Sequence, residues 1–216
     1  MPNLPEATVS GTYGKGWETL KKYFPEILVL FLIEVLMSLP MGLGQYFVPV
    51  EFTGVAFTGI FNVLYGLIIL TPVSYGINWV YLKALRDEPF KPTDLFFAFQ
   101  QLGNVVLSGI LVAVIVGLGM VMLIVPGIIF ACKLAFVPYL VMDEKMDATD
   151  AIRKSWKMTE GYTGTIFLMG LTAVFVGLLG LICLIIGIIP AVMWIRMAFA
   201  SMYLAVAGKA TPENQN

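Results

Sequence analysis

Apolar positions fall into four long runs, at residues 27–43, 57–82, 105–142 and 166–208, and the charges collect in the short segments between them. An α-helix rises about 1.5 Å per residue, so roughly 20 apolar residues cross a ~30 Å hydrocarbon core. The first two runs each suffice for one span, and the last two are each long enough for a hairpin of two. Six spans are therefore expected, at about 25–43, 55–82, 104–124, 127–142, 164–188 and 190–208. The fourth is the shortest, and is expected to begin at the Pro126-Gly127 turn.

The intervening segments carry a helical period of their own. In 13–24, Tyr13, Trp17, Leu20 and Phe24 share a face, with Lys15, Glu18 and Lys22 opposite. In 150–160, Ile152, Trp156 and Thr159 share one face and Arg153, Lys154, Lys157 and Glu160 another. The segment 94–102 is more apolar, with Leu95, Phe96 and Phe99. Thr93-Asp94 and Thr149-Asp150 supply a capping hydroxyl and a carboxylate suited to a helix N-terminus. Each hairpin closes on Tyr-Leu, at Tyr81-Leu82, Tyr139-Leu140 and Tyr203-Leu204, where tyrosine suits the aromatic belt of a membrane interface. Pro126 and Pro190 each precede the closing tyrosine by thirteen residues. This pattern predicts three units, about 13–82, 93–142 and 149–208, each a cytoplasmic amphipathic helix followed by a two-span hairpin. They make one membrane domain, 1–208, with a short polar tail, 209–216, expected to be disordered.

Composition supports this reading. The chain of 216 residues is 59% hydrophobic and only 12% charged, with a mean hydropathy of +0.88. Soluble domains carry about one-quarter charged residues, so these charges cannot cover a water-facing surface. The fold class is thus an all-α polytopic integral membrane protein. Of the thirteen Lys and Arg residues, eleven lie before span one, between spans two and three, between four and five, or after six. The opposite connections carry none, which places both termini in the cytoplasm by the positive-inside rule. The first 24 residues lack the apolar core of a removable signal peptide, so the first span is expected to serve as its own targeting signal. A net charge of −1 argues against a nucleic-acid partner, which would need a basic face.

Several motifs resemble the membrane domain of glycerophosphoryl diester phosphodiesterases and its uncharacterised bacterial inner-membrane relatives. They are Leu123-Ile124-Val125-Pro126-Gly127-Ile128, the acidic Asp143-Glu144, Ala151-Ile152-Arg153-Lys154-Ser155-Trp156 with Gly161, and Thr93-Asp94 before Leu95-Phe96-Phe97. The resemblance spans about residues 15–208. It implies a multi-pass protein of the bacterial inner membrane, linked to lipid or envelope physiology. It transfers no catalytic residue, because the family's chemistry belongs to a separate soluble domain and none of the matching positions is catalytic.

The candidate chemistry is sparse. Glu34, Lys133 and Arg196 lie within spans, where a charge costs at least ~2.5–3.5 kcal/mol and normally finds a partner. Glu34 is expected to pair with one of the two cations, either as a structural ion pair or as part of a polar pathway. Arg153, Lys154, Trp156 and Lys157 are candidate contacts for anionic lipid headgroups, with interfacial anchoring as the simpler role. Asn62 and Asn78 can hydrogen-bond between helices. The chain has no histidine, which removes the base of a Ser–His protease and makes a zinc site unexpected. Asp143, Glu144, Asp147 and Asp150 form a cluster by count, read as a solvated loop. Cys132 and Cys183 fall in apolar runs and read as small hydrophobes. No enzyme, cofactor or metal is expected. Two functions fit: a non-catalytic accessory or scaffold acting on membrane lipids or partner membrane proteins, or a carrier of a lipid or small solute through a site at Glu34, Lys133 and Arg196. Homo-oligomerisation is compatible with either.

Overall fold

The helices follow the apolar runs closely. A computed structural model describes residues 5–47, 52–182 and 187–213, and among these every regular element is helical. Helix α1 (Val9–Lys22) leads into α2 (Phe24–Phe47). Then α3 (Phe52–Tyr65) passes through a π-helical turn, Gly66–Leu70, into α4 (Thr71–Leu85). Proline has no N–H, and its ring clashes with the carbonyl four residues back, so a widened turn just before Pro72 relieves both problems. There the Thr71 N–H reaches the Gly66 carbonyl, which also accepts the Thr71 hydroxyl at 3.0 Å. A 3₁₀ segment, Pro92–Gln101, precedes α5 (Leu102–Met122). Helices α6 (Ile124–Lys133) and α7 (Val137–Asp143) form one interrupted rod. They are followed by α8 (Ala148–Met158), α9 (Thr163–Ile182) and α10 (Ile188–Glu213).

Six stretches are long and apolar enough to cross a membrane: Phe24–Leu43, Phe57–Leu85, Pro92–Met122, Ile124–Asp143, Thr163–Ile182 and Ile188–Gly208. The chain is a polytopic all-α protein. Two details differ from the sequence expectation. The tight turn between the third and fourth spans is the extended residue Leu123, not Pro126-Gly127. Pro126 falls instead in the first turn of α6, where a missing N–H leaves no helical bond unmade. At the other end, α10 carries its register past Gly208 through residues 209–213, so this part of the expected tail is helical. Residues 214–216, Glu51 and Cys183 lie outside the described residues.

Burial is uneven along the rods. At the end that carries Arg86 and Asp143, Leu82, Leu95, Leu140 and Met142 are fully enclosed. Toward the opposite end apolar side chains stand open, with Leu36 at 62%, Ile182 at 75% and Val121 at 86% exposure. Such a surface matches hydrocarbon rather than water.

The segments between hairpins do not stand apart from the bundle. Helix α1 lies along α10, with the Tyr13 ring edge-on to Trp194 at 5.6 Å. The 3₁₀ segment lies on α4, and α8 lies against the interrupted rod, where the Ser155 hydroxyl donates to the Lys133 carbonyl at 2.8 Å. Close approach decides which face is buried. In α1 the buried stripe is Thr12, Tyr13, Gly16, Thr19 and Leu20, while Trp17 stays 41% exposed. In α8 it is Ala148, Ala151, Ser155 and Met158. Tyr13, Leu20 and Thr159 of the expected faces are thus buried, whereas Trp17 and Trp156 lie at the edge of the contact line, which small residues such as Gly16, Ala151 and Ser155 share.

Candidate functional site

Three buried tyrosines occupy the interior near the charged end. Tyr81, Tyr139 and Tyr203, which close the three hairpins, are 1%, 5% and 0% exposed. Tyr139 and Tyr203 stack at 5.2 Å between ring centroids, and Phe136 meets Tyr203 edge-on at 5.8 Å. The expectation of an aromatic belt is corrected here. A tyrosine at the same register of each rod points inward when the rods converge, and its ring fills the core while its hydroxyl seeks a partner.

Glu34 finds one of the two cations expected for it, Arg196. An Arg196 guanidinium nitrogen donates to Glu34 Oε1 at 2.6 Å, with the two side chains 32% and 23% exposed. Both charges act electrostatically on Tyr81, and Arg196 also acts on Tyr139. Lys133 is placed differently. Its ammonium lies 5.7 Å from the centre of the Trp156 ring, which also meets Phe130 at 5.6 Å. Glu34 and Arg196 are thus brought together, whereas Lys133 turns to α8.

Arg86, Asp143 and Tyr203 form a second cluster, which the sequence did not single out as a site. Arg86, directly after α4, donates through two nitrogens to the two oxygens of Asp143, each at 2.6 Å. Tyr203 donates to Asp143 Oδ2 at 2.9 Å. The paired, planar geometry makes this one of the stronger ion-pair types. Its hydrogen bonds hold Arg86 above its already high ordinary pKa. Next to it, Lys22 and Tyr23 both reach Asp87 Oδ1, at 2.5 and 3.1 Å, and hold that carboxyl below its ordinary value. The acidic run read as a solvated loop is taken up in separate contacts: Asp143 by Arg86 and Tyr203, Glu144 by Lys154 at 2.7 Å, and Asp147 by Asn104 at 3.1 Å.

The remaining headgroup candidates lie on α8. Arg153 and Lys157 are exposed and Trp156 is half-buried, while Lys154 is committed to Glu144. Three grooves open on the flanks of the bundle. One of about 370 Å³ between α6 and α9 is lined by Met120, Cys132, Ile166, Phe167, Val174 and Phe199. One of about 460 Å³ between α3 and α5 includes Asn62, whose Oδ1 has no partner. One of about 220 Å³ lies beside Trp17 and Trp194. None of these three is lined by Glu34, Lys133 or Arg196.

The tyrosine core had one usable signal in the sequence, its recurrence at the same place in each hairpin. Arg86 and Asp143 had none, because a charge just outside a span looks like any solvated loop residue. No family model, curated protein or solved structure matches this chain.

Proposed function

We propose that the protein is a non-catalytic accessory or scaffold of the bacterial inner membrane, with both termini in the cytoplasm, acting through lipid or partner proteins rather than by moving a solute. The observation that carries this reading is the closed interior. Tyr81, Tyr139 and Tyr203 are all buried in the core, Tyr139 stacked on Tyr203, and the Glu34 and Arg196 charges neutralise each other. A carrier needs polar groups left open to its cargo, whereas here they are spent on one another. The eleven basic residues on one side support the orientation. The motifs resembling the phosphodiesterase membrane domain support the link to lipid or envelope physiology.

Reconstitution into liposomes tests the reading. The purified chain should give no more lipid scrambling or small-solute flux than protein-free vesicles. Flux that is present in the wild type and lost with Glu34→Gln would establish the carrier reading instead.

A further inference from the structure

Lys133 is a lysine inside a spanning stretch that forms no ion pair among the described residues. Other cations of the bundle do: Lys22 with Asp87, Lys83 with Asp94, Arg86 with Asp143, Lys154 with Glu144 and Arg196 with Glu34. Lys133 ends α6, within the stretch Ile124–Asp143, and is half-buried. Among the described residues its ammonium meets only the face of Trp156. A cation–π contact offsets part of the cost of a lysine in a span and satisfies none of its three N–H donors as a hydrogen bond to oxygen would.

The surroundings are built rather than accidental. The Ser155 hydroxyl donates to the Lys133 carbonyl at 2.8 Å and fixes α8 against the last turn of α6, while the Thr159 hydroxyl lies nearer to the Ser155 carbonyl of its own helix, at 2.9 Å. Phe130, one turn earlier, holds the other side of the Trp156 indole. Arg153 and Lys157 lie near Trp156 in the sequence of α8, both exposed and neither in an ion pair among the described residues. Asp150 and Glu160, the carboxylates of the same segment, are exposed and form no ion pair with them. The result is a lysine on the face of an indole, without an ion pair among the described residues, with two further exposed cations, Arg153 and Lys157, on the same helix as that indole.

We propose that Lys133, Trp156, Arg153 and Lys157 bind the phosphate of an anionic membrane phospholipid, with Lys133 as the anchor and Lys154 excluded by its bond to Glu144. Phosphate supplies the negative charge and several acceptor oxygens that the ammonium lacks, and the indole suits the apolar–polar boundary where a lipid phosphate lies. This goes beyond the scaffold reading and does not depend on it, since a carrier built on the same bundle would keep the site.

The test is native mass spectrometry of the full chain released from nanodiscs of mixed phosphatidylglycerol and phosphatidylcholine. The wild type should retain one phosphatidylglycerol preferentially. Lys133→Met should weaken retention roughly tenfold, a change of about 1.4 kcal/mol, and Lys133→Arg should keep most of it. Lys154→Met should leave it unchanged. Arg153→Gln and Lys157→Gln alter only exposed side chains, so they probe the site if Lys133→Met fails to fold, and each should weaken retention severalfold. Retention indifferent to all three site variants overturns the proposal. An equal loss with Lys154→Met overturns it too, because net charge alone would then explain binding. Displacement of the lipid by millimolar inorganic phosphate, with inorganic phosphate then retained, would assign the site to free phosphate and overturn the lipid source.

Discussion

Asp143 does more at the level of single residues than its place at the end of a span suggests. Its two oxygens bind Arg86, and Oδ2 also accepts Tyr203, so one carboxylate ties the second, fourth and sixth spans together. Asp143→Asn should destabilise the bundle by about 2–3 kcal/mol, because Arg86 is left partly buried with a weaker partner. Tyr203→Phe should cost about 1 kcal/mol. The double variant should cost less than the sum, since both act through Oδ2. Thermal unfolding in detergent checks all three, and strict additivity would contradict a shared acceptor. Asp87 gives the pH dependence. Its carboxyl is held below the ordinary value of 3.8, chiefly by the Lys22 hydrogen bond and then by Tyr23. A depressed folded pKa means that the stabilisation is complete above the ordinary value and is lost as pH falls through the lower folded one. Unfolding followed from roughly pH 6 to about pH 3 should therefore fall less steeply in Asp87→Asn than in the wild type. Superimposable curves would remove Asp87 from the account.

Between elements, backbone contact decides what can change. A methyl added at Gly76 would overlap the Leu95 carbonyl, so the 3₁₀ segment can sit on α4 only because that position lacks a side chain. At the α1–α10 contact the small residue is on the other partner: a Cβ at Gly16 would lie 3.0 Å from the Ala198 nitrogen. Gly76→Ala should cost about 1–3 kcal/mol through displaced backbone. Gly103→Ala, which meets nothing within 4 Å, should be neutral or stabilise by up to ~1 kcal/mol. Equal melting temperatures for the two variants would show that the 3₁₀ segment is not held where the structure has it. These contacts also mark how far the sequence was legible. The spans were readable because twenty apolar residues in a row have few other uses, and a cationic partner for Glu34 because a buried charge calls for its opposite, but not the choice of Arg196 over Lys133. The contact faces of α1 and α8 were readable in part: Tyr13, Leu20 and Thr159 are buried as the period predicts. Trp17 and Trp156 lie at the edge, because close packing favours small residues such as Gly16 and Ser155 beside them, and hydrophobicity alone does not select these.

The whole molecule is closed and densely packed at its charged end, while its opposite end is open and apolar. Tyrosines from three hairpins are buried in the core, Glu34 and Arg196 pair with each other, and Asp143 joins Arg86 to Tyr203. That arrangement suits a body that holds its shape in the bilayer and offers its flanks to lipid or to other proteins. The closed interior is the central claim, and Ser201 tests it most directly. This residue of α10 is 0% exposed and its hydroxyl has no partner, so a water-filled pathway would reach it and a packed core would not. Ser201→Cys is nearly isosteric and can be made in a background where Cys132 and Cys183 are replaced by alanine, with Ser10→Cys on the exposed face of α1 as the reactive control. In native membranes a small charged thiosulfonate should label Ser10→Cys and leave Ser201→Cys unmodified. Labelling of Ser201→Cys at a comparable rate would mean that water enters the centre of the bundle, and the scaffold account would give way to a carrier.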